Sequence, residues 1–500
     1  CTVRVLDSEG GVYKDIEDDE AEIKIRGNST SSGAKKPFNI KFSSKTNLLG
    51  MGKNKKWCLL ANMYDKTLIR NQLVFDIAYQ TRLRYTPKYR VVEVFVNGYN
   101  QGCYLLTDAI KADKTRVDIN TDENEFILER DERTDPGRYY FSSPYYGIRF
   151  GVNEPEEPTD DQKQWLDDFL YEAETAISSA DYSRISQYFD IDSMVDFYIV
   201  FEYSKEVDVD VGSTRFYIKG GKIYGGPCWD FDLSCGNYDR SYYNWIYGSS
   251  GDSAEGYWAR DRFKWYLNLW NCEEFKAAVK TRYAELQDVL VNVYEDNALG
   301  KNLIDRTVEK YSSVIDRNYT IWSIYTKYSE LERAPLGSYG EEIEYMRDWF
   351  RRRNNWFTNR WGIPGAPQLS PRSSYTLENY HVYGVPEKTA AFSVASNFLS
   401  DNTYCISPNG VEYGYSDYVA NGARVTCGGA SCKLMVRGDP VADGQITAAD
   451  YVFAKRYCLG TVQADEDEFY ACNVDGQGDI TAVDYVMIKR HVLGTYKIKP

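Results

Sequence analysis

The sequence predicts an α+β fold, with a large mixed domain first, a small β module next and an all-α segment at the C-terminus. Three observations lead to this prediction: strand-like runs dominate residues 1–130, helical patterns dominate from Thr159 to about residue 361, and a helical segment is repeated near the end of the chain. A chain of 500 residues is expected to form about three domains. The order of patterns in the large domain indicates a sheet-based lobe followed by a helical lobe.

The domain boundaries follow from shifts in composition. Three prolines in the Gly- and Ser-rich run GIPGAPQLSPRSS are typical of a semi-rigid linker. The predicted segments are the large domain at 1–362, with lobes at about 1–130 and 131–362, the linker at 363–374, the β module at 375–436 and the repeated segment at 437–500.

The composition argues against several classes of protein. The chain is 43% hydrophobic, which is enough for sizeable cores and argues against a wholly disordered protein. It has 59 Lys+Arg against 74 Asp+Glu and a formal net charge of −15, so we expect no nucleic-acid partner, because phosphate contacts need clustered basic residues. No apolar run approaches the roughly 18 residues that a membrane helix needs, so no membrane span is predicted.

Histidine is scarce, and this limits the possible chemistry. The two histidines, His381 and His491, both lie late in the chain. The large domain therefore cannot contain a Ser-His-Asp triad, a Cys-His pair or a His-rich metal site. Catalysis there would depend on carboxylates, Lys, Tyr, Ser or Cys.

The first lobe is predicted to be a sheet with one embedded helix. Its strand-like runs alternate in polarity or are rich in β-branched and aromatic residues, and they are TVRVL, EIKIR, FNIKF, KWCLLA, RVVEVFVNG, GCYLLT and FILER. After the fourth run, apolar residues recur at helical spacing behind a polar start at Asp65. This pattern predicts a helix over 65–80.

The second lobe is predicted to be mainly helical, with one hairpin near its start. TDDQKQWLDDFLYEAETAI opens with a good N-terminal cap at Thr159, and MVDFYIVFEYSK predicts a buried helix. A strand pair follows in TRFYIKGGKIYGGPCWDFD, where Gly220 and Gly221 are typical of a hairpin turn. A cleft between two such lobes would be the default place for a ligand.

Three carboxylates near this hairpin form the first candidate site. Asp208 follows the buried helix, and Asp230 and Asp232 follow the second strand in the run W-D-F-D. Mg²⁺ prefers oxygen ligands, and a further carboxylate could accept the proton of a hydroxyl group. The alternative is that these aspartates only cap a turn.

A Ser- and Gly-rich loop in the first lobe forms the second candidate site. In IKIRGNSTSSGAKKPFNIKF, residues 23–42, the loop between two strands could cover phosphates with its backbone N–H groups. Lys35 or Lys36 could then reach a phosphate as a point charge. The alternative is an ordinary polar hairpin.

Motifs throughout the large domain resemble the CotH family of atypical protein kinases. The matching segments, in family order, are RGNSTSSGAKKPFNIKF, LLGMGKNKKWCLLANMYDKTLIRN, VFVNGYNQGCYLLTDAIK, FILERDE and YGGPCWDFDLSCGN. The most specific pieces are R-G-N-S-T, K-K-P-F, L-L-A-N…L-I-R-N and P-x-W-D-F-D. The resemblance spans roughly residues 1–362. It implies a bilobal protein-kinase-like fold and phosphorylation of secreted proteins with ATP and Mg²⁺ or Mn²⁺.

The resemblance also implies roles for individual residues. Asp208 matches the catalytic-loop Asp and Asp230 the metal-binding Asp, while Asp232 completes the W-D-x-D pattern and is expected at the metal as well. Lys36 is the best match to the phosphate-pairing Lys, with Lys35 as the alternative. Phosphoryl transfer depends on positioning, metal and cationic neutralisation rather than on histidine, so the scarcity of histidine is no obstacle.

Two further residues are expected near the nucleotide. Arg70, on the embedded helix, could order a phosphate or a carboxylate, or it could serve packing alone. Glu129, in FILERDE, falls near the hinge expected to meet adenine. The chain also departs from the family pattern, because no Asn-type second metal ligand follows the catalytic Asp; Asp210 or Ser213 could substitute. Cys228 stands inside the P-x-W motif and could be inert or redox-sensitive.

The C-terminal segment contains an internal repeat. ITAADYVFAKRYCLG begins at Ile446, and ITAVDYVMIKRHVLG begins 34 residues later at Ile480. Each copy overlaps the end of a loop that fits a 12-position calcium loop, with Gly at position 6 and an acid at position 12; we call 439–450 loop 1 and 473–484 loop 2. The pair resembles a type I dockerin, a calcium-folded module that binds a cohesin on a cellulosome scaffold.

The calcium ligands are expected from positions within each loop. The candidates are Asp439, Asp443, Gln445 (through its carbonyl) and Asp450 in loop 1, and Asn473, Asp475, Gln477 and Asp484 in loop 2. Val441 stands where loop 1 should offer an oxygen, and amides replace acids at two positions of loop 2. Fewer charged ligands should weaken the affinity.

The β module at 375–436 shows strand-like runs but no candidate chemistry, and we interpret it as a spacer. The runs are YHVYGV, AAFSV, EYGYSD, ARVTC and KLMVRG. Cys427 and Cys432 could close a hairpin disulfide or remain a free pair.

The sequence therefore predicts an atypical secreted protein kinase that a dockerin anchors to a cellulosome through cohesin. The protein substrate is unknown, and the extracellular location is expected from the dockerin, because the chain begins at Cys1 and shows no signal-peptide pattern. The main alternative is a catalytically inactive, kinase-shaped binding or structural module. A glycoside hydrolase that uses two of the carboxylates is a weaker alternative.

Overall fold

The structure is a computed structural model and describes residues 1–6, 12–18, 20–27, 29–239, 253–297, 300–400 and 402–500. The strands of these residues are β1 (Val3–Leu6), β2 (Val12–Asp18), β3 (Glu22–Ile25), β4 (Phe38–Asn47), β5 (Lys53–Leu60), β6 (Tyr89–Val96), β7 (Tyr99–Asp108), β8 (Phe126–Arg130), β9 (Tyr140–Ser142), β10 (Arg149–Glu154), β11 (Thr214–Lys219), β12 (Lys222–Gly225), β13 (Thr376–Glu378), β14 (His381–Tyr383), β15 (Thr403–Ile406), β16 (Arg424–Cys427) and β17 (Ala430–Leu434). The helices are α1 (Ser29–Ser32), α2 (Arg70–Tyr79), α3 (Asp160–Ser178), α4 (Tyr182–Tyr188), α5 (Ile191–Ser204), α6 (Ala259–Arg262), α7 (Lys264–Leu269), α8 (Glu273–Glu285), α9 (Gln287–Asn292), α10 (Leu303–Tyr319), α11 (Tyr339–Trp361), α12 (Ala391–Ala395), α13 (Ala448–Cys458), α14 (Glu466–Cys472) and α15 (Ala482–Val492).

These elements form two compact units. The first unit is Cys1–Val279 with Ile304–Trp356, and the second is Lys280–Leu303 with Phe357–Pro500. Residues 280–303, which the sequence analysis assigned to the large domain, therefore group with the C-terminal part of the chain. The fold is a mixture of α and β elements in both units, and the division into two kinase-like lobes stays a prediction.

The first unit contains two five-stranded antiparallel sheets. The first sheet has the order β3-β4-β5-β7-β6, and its strands confirm the predicted runs from EIKIR to GCYLLT. The second sheet has the order β12-β11-β8-β10-β9 and includes the predicted hairpin β11–β12. The core of the first sheet also includes Leu233 and Tyr238, which follow that hairpin in the chain.

The embedded helix α2 begins later than the sequence predicts, at Arg70 instead of Asp65. The Asp65 side chain accepts hydrogen bonds from the N–H (2.8 Å) and the hydroxyl (2.7 Å) of Thr67, which turns the chain, and Leu68 lies in the left-handed region at φ 61°. Asp65 also accepts the Arg70 N–H at 2.9 Å. The polar segment that begins at Asp65 is therefore a turn that precedes α2. The Asp65 side chain lies outside the helix and accepts the N–H of its first residue, Arg70.

The helices of the second predicted lobe agree with the sequence. Thr159 and Gln162 form the capping box that begins α3. Helix α5 is almost wholly buried and packs against α2 and β12, which places its C-terminal end beside the segment that carries Asp208.

The β module of the second unit is a five-stranded sheet in the order β13-β14-β17-β16-β15, with β14 and β17 parallel. Two predicted strand runs are wrong. AAFSV forms helix α12, where Ala391 and Val394 are buried three residues apart and Phe392 is exposed, a period that suits a helix and not a strand. EYGYSD forms no strand, because Asp417 accepts the Gly414 N–H at 2.7 Å in a turn.

The repeated segment is helical, as predicted. Thr447 and Thr481 cap α13 and α15, each in a capping box with the acid at position 12 of the preceding loop. All eleven cysteines lie within the described residues and are free thiols, including Cys427 and Cys432. Among the described residues, no helix combines the length and the apolar character needed to cross a membrane.

Candidate active site and calcium loops

A cleft opens within the first unit, between the first sheet with α2 on one side and the segments around β8, β11 and β12 on the other. It brings together four of the predicted site residues. They are Glu129, Asp208, Asp230 and Asp232. The predicted Ser- and Gly-rich loop reaches the cleft with Arg26, Ser29 and Thr30. The cleft is also lined by Asn71, Arg133, Arg215 and Trp229, for which the sequence predicted no role at the site.

The W-D-F-D segment is held in the cleft by contacts on both sides. Asp230 lies in the left-handed backbone region at φ 71°, a conformation that costs energy for a residue other than glycine. The next residue, Phe231, is buried against Phe75 of α2 and Phe201 of α5, and its N–H donates to Asn71 Oδ1 at 2.7 Å. The backbone of Asp230 is therefore fixed by its neighbour's packing and by α2.

Asp208 lies in a turn just after α5, where its carbonyl accepts the N–H groups of Val211 (2.8 Å) and Gly212 (2.9 Å). Its carboxylate lies 3.8 Å from the guanidinium of Arg133, and about a third of the side chain is exposed. Desolvation and the nearby Asp230 carboxylate raise the pKa of Asp208 to about 6, against the opposing effect of Arg133. A carboxylate with this pKa is suited to accept a proton near neutral pH.

Asp230 and Asp232 each place a carboxylate at the cleft, and their role as metal ligands stays a prediction. Burial and the Asp230 carboxylate raise the pKa of Asp232 well above its usual value. Ser213, at the position expected to supply a second metal ligand, donates its hydroxyl to Asp230 at 3.3 Å. The two carboxylates repel each other, and a bound cation would reduce this repulsion, so the pair is suited to hold a positive ion.

The cations in the cleft are arginines. The guanidiniums of Arg26 and Arg215 lie 5.2 Å and 5.5 Å from the ring centroid of Trp229. Arg215 also donates to Glu129 at 2.5 Å, and Glu129 lies 3.0 Å from Arg138. Burial raises the pKa of Glu129, but the guanidiniums of Arg215 and Arg138, together with a hydrogen bond from Asn153, lower that pKa below its usual value. The carboxylate of Glu129 is thus engaged by protein cations, and its predicted contact with adenine stays a prediction.

Three predicted cofactor residues do not line the cleft, within the part of the chain that the structure describes. The Lys35 ammonium is buried and donates to the carbonyls of Ala61 (2.9 Å) and Cys103 and to Asn318 Oδ1 (3.0 Å). Burial lowers the pKa of Lys35 to about 8. These contacts give Lys35 a structural role.

Lys36 and Arg70 have local partners as well. Lys36 is half-buried and donates to the Ser31 carbonyl, within the Ser-rich loop, at 2.9 Å. Arg70 is fully buried and forms an ion pair with Asp65, which favours the packing role that the sequence analysis left open. Asn28 of the R-G-N-S-T motif lies outside the described residues.

Three cleft residues whose side chains had no predicted role do stand in segments that the sequence shows. Arg26 opens R-G-N-S-T, Asn71 closes L-I-R-N, and Arg215 follows Thr214 at the start of the hairpin. Their side-chain types alone could not reveal a site, because an Arg or Asn in a strand or helix is more often a structural or surface residue.

Loop 1 has the arrangement of a calcium site. Asp439, Asp443 and Asp450 each offer a carboxylate oxygen, and these oxygens lie within 4.8 Å of one another. Burial raises the pKa of Asp439 to about 7, although three backbone N–H groups oppose the shift. The N–H of Gln445 donates to Asp443 Oδ1 at 3.0 Å, and its carbonyl stays a predicted ligand. Closely placed carboxylates of this kind fit Ca²⁺.

Loop 2 is closed by the same capping contacts but has fewer acids at the predicted ligand positions. Asp484 accepts the Thr481 N–H at 2.8 Å, and Asp475 accepts the Gln477 N–H at 2.8 Å. The Oδ1 atom of Asn473, at position 1, is buried without a hydrogen-bond partner. A buried oxygen of this kind at a ligand position fits a bound cation.

Comparison with known families assigns both regions. Residues 23–357, more than half of the chain, match the family described as CotH kinase protein, and residues 437–493 match the Dockerin type I domain. Comparison with curated proteins gives no match. Type I dockerins bind calcium, and a dockerin implies a cohesin partner and association with an extracellular cellulosome. The chain belongs to the kinase-like CotH family and carries a type I dockerin near its C-terminus.

Proposed function

We propose that the first unit is an ATP-dependent protein kinase of the atypical CotH type, with its active site in the cleft. The observation that carries the proposal is the meeting of Asp208, Asp230 and Asp232 with the arginines Arg26 and Arg215 in one cleft of the first unit. Carboxylates for a metal and a proton, facing cations for phosphate, are the groups that phosphoryl transfer needs.

The three carboxylates have two roles in this proposal, proton acceptance and metal binding. Asp208 orients the acceptor hydroxyl and takes its proton. Asp230 and Asp232 would hold Mg²⁺ or Mn²⁺, with Ser213 beside Asp230. ATP and the metal supply the phosphoryl group and part of the charge neutralisation when bound. The acceptor would be a Ser, Thr or Tyr hydroxyl of a partner protein.

The phosphate-facing cation is assigned from the residues that line the cleft. Arg26 and Arg215 line the cleft, but Arg215 is already paired with Glu129. Arg26 is therefore the residue that we assign to the phosphates. Lys36 remains the residue that matches the family motif, and the two assignments are separated by mutation.

We further propose that the dockerin positions this kinase on an extracellular cellulosome scaffold through cohesin. Protein substrates would then be other proteins held on the same scaffold, since tethering raises their effective concentration. The source of extracellular ATP is a separate requirement of the proposal.

The decisive experiment measures transfer of labelled γ-phosphate from ATP by the full chain, with Mg²⁺ and then Mn²⁺. The unmodified protein is compared with Asp208→Asn and Asp230→Asn, using self-labelling and a generic acidic protein as acceptors. We expect label on the unmodified protein and none on either variant. If the unmodified protein neither transfers label nor gains thermal stability from ATP with metal, the proposal fails and an inactive, docked module is the better description.

A further inference from the structure

We propose that the β module is a brace for loop 1 of the dockerin, so that calcium binding by this loop depends on the module. From its sequence pattern the module was expected to be a spacer. The contacts within the second unit assign it a different task, and they rest on the dockerin match and not on kinase activity.

Three hydrogen bonds join the module to the backbone or a ligand of loop 1. The Asn421 N–H donates to Asp439 Oδ2 at 3.0 Å, the Lys388 N–H donates to the Gly444 carbonyl at 2.8 Å, and the Ile446 N–H donates to Glu387 Oε2 at 2.9 Å. The first of these bonds orients the carboxylate at position 1 of the loop. The other two hold the backbone on both sides of position 7, whose carbonyl is a predicted ligand.

The β module also packs closely against loop 1 at Gly444. Gly444, at position 6, has φ 82°, and a Cβ atom there would lie 3.0 Å from the Val419 carbonyl and 3.1 Å from Tyr418. The module therefore packs directly against the tightest turn of the loop. A glycine is needed at this position for two reasons: its backbone has a positive φ, and the module leaves no room for a side chain.

Glu387 links loop 1 to the last helix of the dockerin. Its second oxygen lies 2.7 Å from His491 Nε2, near the end of α15. Because His491 Nδ1 accepts the Ile498 N–H at 3.0 Å, Nε2 must carry the hydrogen that is donated to Glu387. One carboxylate of the module thus ties the first loop to the end of the second repeat.

The module is itself anchored within the unit by buried polar groups. The Asn421 side chain accepts the Val436 N–H at 2.9 Å and donates to the Asp467 carbonyl at 2.9 Å. Lys433 lies 3.0 Å from Asp467 and 3.2 Å from Asp288, so α14 and α9 meet the same lysine. A brace needs such anchors, because it can restrict the loop only if it is itself fixed.

Loop 2 lacks this support. Within the described part of the chain, no hydrogen bond runs from residues 375–436 to residues 473–484. Loop 1 is also the loop in which Val441 replaces an oxygen ligand. Ordering a loop costs conformational entropy when the ion binds, and a prearranged backbone lowers that cost. The brace would thus offset the missing ligand.

The test measures Ca²⁺ binding to the full chain by calorimetry. Asp443→Ala and Asp475→Ala identify which binding step belongs to loop 1 and which to loop 2. Glu387→Ala removes the acceptor of the Ile446 N–H. Asn421→Ala keeps the backbone N–H that donates to Asp439 but removes the side-chain bonds to Val436 and Asp467 that hold this N–H in place. The exposed Glu412→Gln is the matched control. We expect the dissociation constant of loop 1 to rise about tenfold or more, and that of loop 2 to change less than about twofold. Glu387→Gln, which keeps an acceptor for the Ile446 N–H, should lose less than Glu387→Ala.

Unchanged binding at loop 1, or an equal loss at both loops, would overturn the brace. Amide hydrogen exchange on the unmodified protein covers the case in which a variant does not fold. Calcium should then increase the protection of the Asn421 and Lys388 amides in the module as well as amides of loop 1. Protection confined to the loop would overturn the proposal equally.

Discussion

The cleft of the first unit and the calcium loops of the second unit both collect carboxylates, but they are built in opposite ways. In the cleft, the acidic groups come from residue 129, from 208 and from 230 to 232, and the cations come from residues 26, 133 and 215. In loop 1, all the predicted ligands lie within 12 consecutive residues. The cleft is assembled by tertiary packing, whereas the loops are assembled largely by local turns.

The two regions also hold their carboxylates differently. Glu129 and Asp208 face guanidiniums at 2.5 Å and 3.8 Å. Asp439 and Asp450 instead accept backbone N–H groups, such as Gly444 (2.9 Å) and Thr447 (2.7 Å). A change of charge in the cleft therefore alters several distant side chains, while a change in a loop acts mainly on its own backbone. The following predictions use this difference.

The largest expected effects are two independent losses: one variant loses phosphate transfer but keeps calcium binding, and the other loses calcium binding by loop 1 but keeps transfer. Asp230→Asn should reduce phosphate transfer by about 10³-fold or more, because the metal and the developing charge lose a ligand. It should leave both calcium sites unchanged. Asp450→Asn should weaken calcium binding by loop 1 and leave transfer by the first unit intact. Labelled-phosphate transfer and calcium calorimetry on the same preparations measure both effects.

The exposed Asp168→Asn on α3 is the control for this pair and should change neither readout. Loss of transfer in Asp450→Asn would show that the cleft depends on loop 1, and it would contradict the expectation that the two regions act independently.

The second prediction concerns the cation that meets the phosphates. Arg26→Ala should raise the KM for ATP about tenfold or more, because it removes a charge from the cleft wall. Lys36→Ala should have a smaller effect, since its ammonium donates to the Ser31 carbonyl. Steady-state kinetics with varied ATP distinguishes the two, and Arg372→Ala, an exposed position, is the control. A larger effect of Lys36→Ala would restore the assignment made from the motif.

The third prediction concerns Asn71, the residue through which α2 holds the W-D-F-D segment. Asn71→Leu leaves the Phe231 N–H buried without its acceptor and should cost about 1–3 kcal/mol of unfolding free energy. Transfer should fall about tenfold, with a higher Mg²⁺ concentration needed for half-maximal rate. Asn71→Asp keeps an acceptor oxygen and should recover part of the metal response. Equal loss in both variants would mean that Asn71 supports the fold but does not position Asp230.

The smallest expected effect is a shift of the pH profile. Activity needs ionised Asp208, whose pKa is raised to about 6, so the rate should rise with pH through this region. Arg133 lowers that pKa, and Arg133→Gln should move the acid limb to higher pH. Rates measured from pH 5 to 8 test this, with Arg372→Gln as control. A shift to lower pH would contradict the assigned contact.

Much of the secondary structure of the first unit could be predicted, because a strand in an antiparallel sheet shows its buried face as alternation in sequence. The runs EIKIR, FNIKF and RVVEVFVNG all lie in strands of the first sheet. The start of α2 could not be predicted, because Asp65 is polar both as a cap and as a turn residue. AAFSV was predicted as a strand for a similar reason, since five residues are too few to separate a period of 2 from a helical period.

The candidate site shows the same limit at the level of side chains. The aspartates of W-D-F-D could be proposed from their spacing. The sequence could not show whether Lys35 or Lys36 lies closer to the cleft, because the cleft is formed only by the tertiary fold. The structure directs Lys35 into the core and Lys36 to Ser31, and it brings Arg26 to the cleft through contact with Trp229. The contacts of Lys35 with Ala61 and Asn318, and that of Arg26 with Trp229, join residues far apart in the chain, whereas Lys36 and Ser31 are close in sequence.

The repeated calcium loops, the strand runs of the first sheet and the motifs that mark the CotH family could all be recognised from the amino-acid sequence alone. Such features are short-range, because a turn, a cap or a strand face depends on residues close together in the chain. The folded chain was needed to show which cations line the cleft and that the β module reaches loop 1 through Asn421 and Glu387. These contacts join segments that are distant in sequence, and packing of buried surfaces sets their distances, which no local pattern encodes.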